Sequence, residues 1–212
     1  MNRRTLLAAS LLAPVGAALA YRFVGGGQSL AQDADAFANQ PELPEIVIGD
    51  PDAPVRLTEY ASMTCPHCRT FHRDVLPEIK ARYLDTGRAS YALREFPFDP
   101  RAMAAFMLAR CAPERHYHAT IDLLFEQQDE WSRAENAVGA LWDAVRIAGF
   151  SREEFEACLN DGELQRKITA IQARGQNKFG VNAVPAMFVD GERLEGPLTV
   201  DAVAAAIEDA DR

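Results

Sequence analysis

Cysteine and histidine are scarce in this chain, four of each in 212 residues, and the scarcity narrows the chemistry. A closed structural zinc site takes four Cys or His ligands at matched spacing. Only one C-x-x-C occurs, Cys65-Pro66-His67-Cys68, and no second pair completes it. His72 follows four positions after Cys68, and the remaining histidines are His116 and His118. No metal site is expected. Long basic runs are missing too. Lys and Arg number 22 against 31 acids, and the first 31 residues hold Arg3, Arg4 and Arg22 but no acid. A chain starting at Gln32 therefore carries 19 basic against 31 acidic residues, a net of −12. That balance argues against nucleic acid as a partner. A transmembrane helix needs roughly 20 apolar residues; the run Leu6 to Ala20 is 15 long. No internal repeat is apparent. What is present, 48% hydrophobic and 25% charged residues, is the make-up of one well-buried domain with room for a subdomain.

Arg3-Arg4 ahead of that short apolar run has the outline of an export signal. Small-residue cleavage sites follow at Ala18-Leu19-Ala20 and Ser29-Leu30-Ala31. The paired arginines fit a twin-arginine signal as well as the general secretory route; an uncleaved anchor is the alternative. Either route leads outside the cytoplasm, to the periplasm, where disulfides persist. Residues from Gly25 to Glu45, with three consecutive glycines and two prolines, read as a mobile arm without a coiled-coil heptad, and a monomer is expected.

The one C-x-x-C sits in a telling context. Val55 to Ala61 is rich in β-formers and alternates, so it reads as a strand. Met63-Thr64 turns the chain, and Pro66 falls where a helix tolerates proline best, its first position. Cys65 is then the N-cap, where unpaired N–H groups and the helix dipole favour a thiolate. His67 beside the sulfur adds a donor or a positive charge. Cys68, one turn on, is expected to be buried and to act as the resolving thiol. A strand, a C-x-x-C and a helix in this order point to redox chemistry at the sulfurs.

Cys65-Pro66-His67-Cys68, Glu59 six residues earlier and Val184-Pro185 far downstream resemble the DsbA family of periplasmic thiol–disulfide oxidoreductases. The resemblance spans Val47 to the C-terminus. It implies an α/β, thioredoxin-like fold with an inserted α-helical subdomain, and an enzyme that donates disulfides to exported proteins carrying free thiols. No cofactor is needed beyond the sulfur pair, and the implied reoxidising partner is a quinone-linked membrane oxidase of the DsbB type. Pro185 is expected to be cis, with the Val184 backbone open to an extended substrate strand. Glu59, beneath the cysteines, is either a buried acid serving Cys68 or an exposed strand glutamate. A reductase or isomerase of the same fold would carry every one of these motifs. A periplasmic metal- or peptide-binding module is the reading from another class.

The periodicity fits that frame. Residues 1–31 are assigned to the export signal and the start of the arm, and 32–45 to the arm itself. A thioredoxin-like domain takes 46–96 and 185–212, with helical residues 97–184 inserted. Phe71, Val75, Leu76, Ile79 and Tyr83 share one face of a helix from Pro66 to about Leu84, kinked at Pro77. A strand over 89–96 follows. Apolar spacing stays helical from Ala102 to Phe179, with Phe106, Phe125, Trp142 and Phe155 as core. A hairpin across Asp190-Gly191 and a helix capped by Thr199 close the chain. Cys111 and Cys158, 47 positions apart in the insert, are either buried free thiols or a structural disulfide. An oxidising compartment and an even cysteine count favour the bridge.

Overall fold

The computed structural model describes residues 43–212, so the expected export signal and residues 32–42 of the arm lie outside the described residues. The end of that arm rests on the body. Leu43 packs against the core, and Glu45 pairs with Arg56 and Arg94.

Strand β2 (Val55–Ala61) runs through the middle of the molecule. Alternation sends Leu57, Glu59 and Ala61 to one face and Thr58 and Tyr60 to the other. Both faces are covered, which leaves Arg56 as the one exposed residue of the strand. Strand β3 (Ala89–Glu95) pairs with β2 in parallel, from Val55 opposite Ala89 to Ala61 opposite Glu95. Parallel neighbours need a crossover, and the helix after Cys65 supplies it. Strand β1 (Val47–Gly49) lies antiparallel to β3, and β4 (Ala186–Val189) antiparallel to β2. Strand β5 (Glu192–Arg193) completes a five-stranded sheet in the order β1-β3-β2-β4-β5. The β4–β5 turn has φ of 49° at Asp190 and 87° at Gly191. An Asp-Gly pair tolerates two positive φ angles in succession, so the expected hairpin forms there.

Helix α1, residues 66–84, keeps its expected length but widens into a π turn twice. Pro66–Thr70 and Leu76–Ile79 are α-helical, whereas Phe71–Val75 and Lys80–Leu84 are π turns. The first π turn is how the chain absorbs Pro77. Proline has no N–H for the turn before it, and its ring crowds the carbonyl there. The turn widens, and the Leu76 N–H reaches back to the Phe71 carbonyl. The stripe of Phe71, Val75, Leu76, Ile79 and Tyr83 stays buried throughout.

Between β3 and β4 the chain is helical: α2 (Pro100–Cys111), α3 (Tyr117–Glu126), α4 (Gln128–Ser132), α5 (Ala137–Val145), α6 (Arg152–Leu159) and α7 (Gly162–Phe179). Their starts are written in the sequence. The Asp99 carboxylate accepts from the N–H groups of Arg101 and Ala102, and Ser151 with Glu154 forms a reciprocal capping box. Phe106, Phe125 and Phe155 are buried in a core shared with the sheet. Trp142 is only half-buried, with the Arg152 guanidinium 5.2 Å above its ring. Cys111, ending α2, is joined to Cys158 of α6 by a disulfide, with the Cα atoms 6.1 Å apart. Helix α7 returns over the far face of β2. A Cβ on Gly175 would stand 2.6 Å from the Tyr60 ring, so the approach requires glycine. Helix α8 (Val200–Ala210), capped by the Thr199 hydroxyl, closes the chain.

Candidate active site

The turn that carries β2 into α1 places Cys65 at the helix N-cap in extended conformation, with Pro66 in the first turn and no side chain capping the end. First-turn N–H groups are therefore free to act on the sulfur. The strongest influence on Cys65 is the Cys68 thiol, which donates a hydrogen bond to its sulfur. Partial burial opposes ionisation, and the N–H groups of Cys68 and His67 favour it. The outcome is a Cys65 pKa lowered to about 6, against roughly 8.5 for an ordinary thiol. The charge of exposed His67 makes the smallest of these contributions. The neighbouring thiol and the N–H groups of the helix end therefore outweigh the charge of His67.

Cys68 is fully buried. Burial first, then its hydrogen bond to Cys65 and the nearby Glu59 carboxylate, push its thiol well above the ordinary range. One sulfur is thus disposed to be a thiolate and the other a thiol.

Several groups fix the turn. The Cys65 N–H donates to the Ser62 carbonyl at 3.0 Å. Buried Gln128, from α4, donates through Nε2 to the carbonyls of Met63 at 2.7 Å and Cys65 at 3.0 Å. The Thr64 hydroxyl donates to Asp99 at 2.6 Å, on the same carboxylate that caps α2. The helical insert therefore holds the strand–helix turn from outside. From the other side comes the loop before β4, where the Val184–Pro185 bond is cis and the Val184 carbonyl oxygen lies 3.6 Å from the Cys65 sulfur.

Glu59 is fully buried, on the β2 face that looks toward α1. Its Oε2 accepts from the Tyr91 hydroxyl and, at 3.1 Å, from His72 Nε2, while Oε1 has no hydrogen-bond partner. The other nitrogen of His72, Nδ1, lies 3.4 Å from Oδ1 of Asp122 on α3. Burial works against a charge on this imidazole, but Glu59 and Asp122 outweigh it and raise the pKa to about 9.

Sequence reasoning singled out Cys65, Pro66, His67, Cys68, Glu59, Val184 and Pro185, and the fold brings all of them to this one end of β2. It missed Gln128 and Tyr91, which carry no local signal. His72 entered only as a possible metal ligand. Its signal was its spacing, one turn past Cys68 on the buried stripe of α1. Among the described residues no group of three or more His, Cys, Asp or Glu side chains is placed to hold a metal ion.

A helix N-terminus that lowers one thiol, a buried partner thiol and a cis-proline loop against the first sulfur together form a dithiol–disulfide centre. The family model described as thioredoxin matches residues 42–209, four-fifths of the sequence. The chain belongs to the thioredoxin family. Within that family it is similar to a Rickettsia conorii protein described as a protein-disulfide oxidoreductase, at 33% identity over 172 residues, covering 78% of this chain and 60% of that one. A Rickettsia bellii protein of the same description is 30% identical over 167 residues, covering 78% of this chain and 64% of the relative. The chain thus spans a little over three fifths of the length of these curated relatives. Among solved structures, Wolbachia pipientis α-DsbA1 superposes with a TM-score of 0.75 at 29% identity, over 82% of this chain and 94% of that one. The thioredoxin-like sheet with its inserted helices matches that DsbA architecture.

Proposed function

We propose that this thioredoxin-family protein is a thiol–disulfide oxidoreductase that donates the Cys65–Cys68 disulfide to exported proteins carrying free thiols. The observation that carries the reading is the asymmetry of the pair: Cys65 lowered to about 6 at a helix N-cap, Cys68 buried and raised. A substrate thiolate attacks the Cys65 sulfur. The Cys65–Cys68 bond breaks, a mixed disulfide forms at Cys65, and Cys68 departs with the electron pair and takes up a proton. A second substrate thiolate then attacks the mixed disulfide, forming the substrate disulfide and releasing Cys65 as the thiolate. A good leaving thiolate at Cys65 speeds that second step and stabilises the reduced enzyme, which makes the disulfide an oxidant.

Pro66 and His67 shape the N-terminus around Cys65. Val184 offers its backbone to an extended substrate segment beside the sulfur, with Pro185 fixing the loop. Glu59, whose Oε1 is unpartnered beneath Cys68, serves as the buried acid for that thiol. Export to the periplasm rests on the arginine pair and apolar run at the N-terminus. A quinone-linked membrane oxidase of the DsbB type would return the pair to the disulfide. No helix among the described residues is long and apolar enough to cross a membrane.

The test is oxidation of a reduced, unfolded protein with several cysteines by the purified disulfide form. One substrate disulfide per enzyme is expected, with none from Cys65→Ala. Failure to oxidise, with rapid repair of mispaired disulfides by the reduced form, would instead support an isomerase.

A further inference from the structure

Cys68 poses a problem of proton supply. Its sulfur is fully buried, without direct contact with solvent. Yet each turnover creates a thiolate at Cys68 that burial and the Glu59 carboxylate both disfavour. A proton has to reach this sulfur through the protein. Behind Glu59 the structure holds a continuous set of polar groups leading away from the active-site face: Glu59 Oε2, His72 Nε2 at 3.1 Å, then His72 Nδ1 and Asp122 Oδ1 at 3.4 Å. The His72 side chain is 2% exposed and that of Asp122 is 63% exposed, so the set begins in the core and ends in solvent. It opens into a groove between α1 and α3, bordered by Arg69, Arg73 and Pro77 as well as His72 and Asp122.

We propose that Asp122 and His72 form a proton path that links the α1–α3 groove, through Glu59, to the buried Cys68 sulfur. This rests on the disulfide-exchange reading above. When the Cys65–Cys68 bond breaks, Cys68 leaves as the thiolate, and the proton that charged His72 holds at Nε2 passes to the Glu59 carboxylate and from it to Cys68. His72, left neutral with its remaining proton on Nδ1, regains a proton from solvent that enters at the Asp122 end of the groove. The sum is one proton from solvent to Cys68. Reoxidation of the pair runs the path in reverse. His72 and Asp122 act through Glu59 and so are positioning residues, not catalytic ones.

The surroundings suit this use. The titratable groups that face His72 are Glu59 from β2, Tyr91 from β3, and Asp122 and His118 from α3. Burial first, then Glu59, holds the Tyr91 hydroxyl well above its ordinary range, so it stays a donor to Glu59 and competes for no proton. His118 is pushed down by burial and is neutral. His72 alone between the two carboxylates carries an exchangeable proton near neutral pH, its charge favoured by both. The Phe125 ring, 4.5 Å away, keeps the imidazole in place.

The experiment is reduction of the oxidised protein by glutathione from about pH 5 to 9, with acid quench and counting of free thiols at Cys65 and Cys68. Wild type, Asp122→Asn and His72→Ala are compared. Both variants are expected to be slower, His72→Ala by about tenfold or more, the low end for a positioned proton donor. The pH–rate profile should change shape, and added imidazole should restore much of the His72→Ala rate. If His72→Ala does not fold, exposed Asp122→Asn decides by its profile alone. Wild-type exchange with both variants matching its profile, and no effect of imidazole, would overturn the path. A wild type that does not exchange at all would overturn the underlying reading with it.

Discussion

The Cys65 sulfur lies 3.6 Å from the carbonyl oxygen of Val184, across 119 residues of chain. Two segments that start far apart, the end of β2 and the approach to β4, meet because the strands pair antiparallel from Leu57 opposite Val189 to Tyr60 opposite Ala186. On the proposed reading, a peptide joined to Cys65 would lie alongside the Val184 backbone. Replacing Cys68 with Ala removes the resolving thiol and should trap such a mixed disulfide. In the trapped complex the Val184 amide should exchange with solvent more slowly than in the free protein. Equal exchange in both would show that substrate does not pair there.

The reduced protein should show thiolate absorbance that titrates with a midpoint near pH 6. The causes predict an order among variants. Cys68→Ala removes the leading hydrogen bond and should raise the midpoint most, and His67→Ala should raise it by a smaller amount. A wild-type midpoint near 8.5, the unperturbed thiol value, would contradict the N-cap account.

His72 gives a pH dependence of the opposite sign to that of a depressed acid. Its pKa is raised on folding, from an ordinary 6.5 to about 9. Its contribution to stability is then complete below about pH 6.5 and is lost as pH rises through about 9. Denaturant unfolding at pH 6 and 9.5 should show wild type losing at most ~3 kcal/mol more than His72→Asn over that interval. Parallel curves would mean that the imidazole is not charged in the folded protein.

The bridge between Cys111 and Cys158 closes a loop of 47 residues within the helical insert. On the chain-entropy model such a loop stabilises the fold by about 4 kcal/mol. The double variant Cys111→Ala/Cys158→Ala should unfold at markedly lower denaturant, yet exchange at Cys65 should be unchanged. Loss of exchange in a folded double variant would mean that the bridge belongs to the redox chemistry.

Much of this was legible in the chain because it is written locally. Strand β2, the proline at the head of α1, the Asp190-Gly191 turn and the caps at Asp99, Ser151 and Thr199 each follow from a few adjacent residues. The cysteine pair was legible for the same reason. The two π turns in α1 were not, since the pattern of Phe71, Val75 and Ile79 fits an ordinary helix and Pro77 signals only that something must give. Glu59 could be read as buried or exposed until α1 was seen to cover its face of β2. Gln128 holds the Met63 and Cys65 carbonyls, and Asp122 reaches His72, only because the insert folds back on α1. Those contacts depend on tertiary packing, and no spacing along the chain encodes them.

The central claim is that the Cys65–Cys68 disulfide is an oxidant because reduction leaves a stabilised thiolate at Cys65. It is tested most directly by the reduction potential of the pair, equilibrated with glutathione across pH. The account predicts a potential at pH 7 higher than that of thioredoxin, about −270 mV, in the direction of DsbA, about −120 mV, by up to about 30 mV for each unit by which the Cys65 thiol lies below thioredoxin's, about 7. Below about pH 6 reduction takes up two protons and the potential should fall by about 59 mV per pH unit; above it one proton is taken up, and the slope should halve to about 30 mV. A potential near −270 mV, with a single slope of about 59 mV per unit through pH 8, would contradict the account.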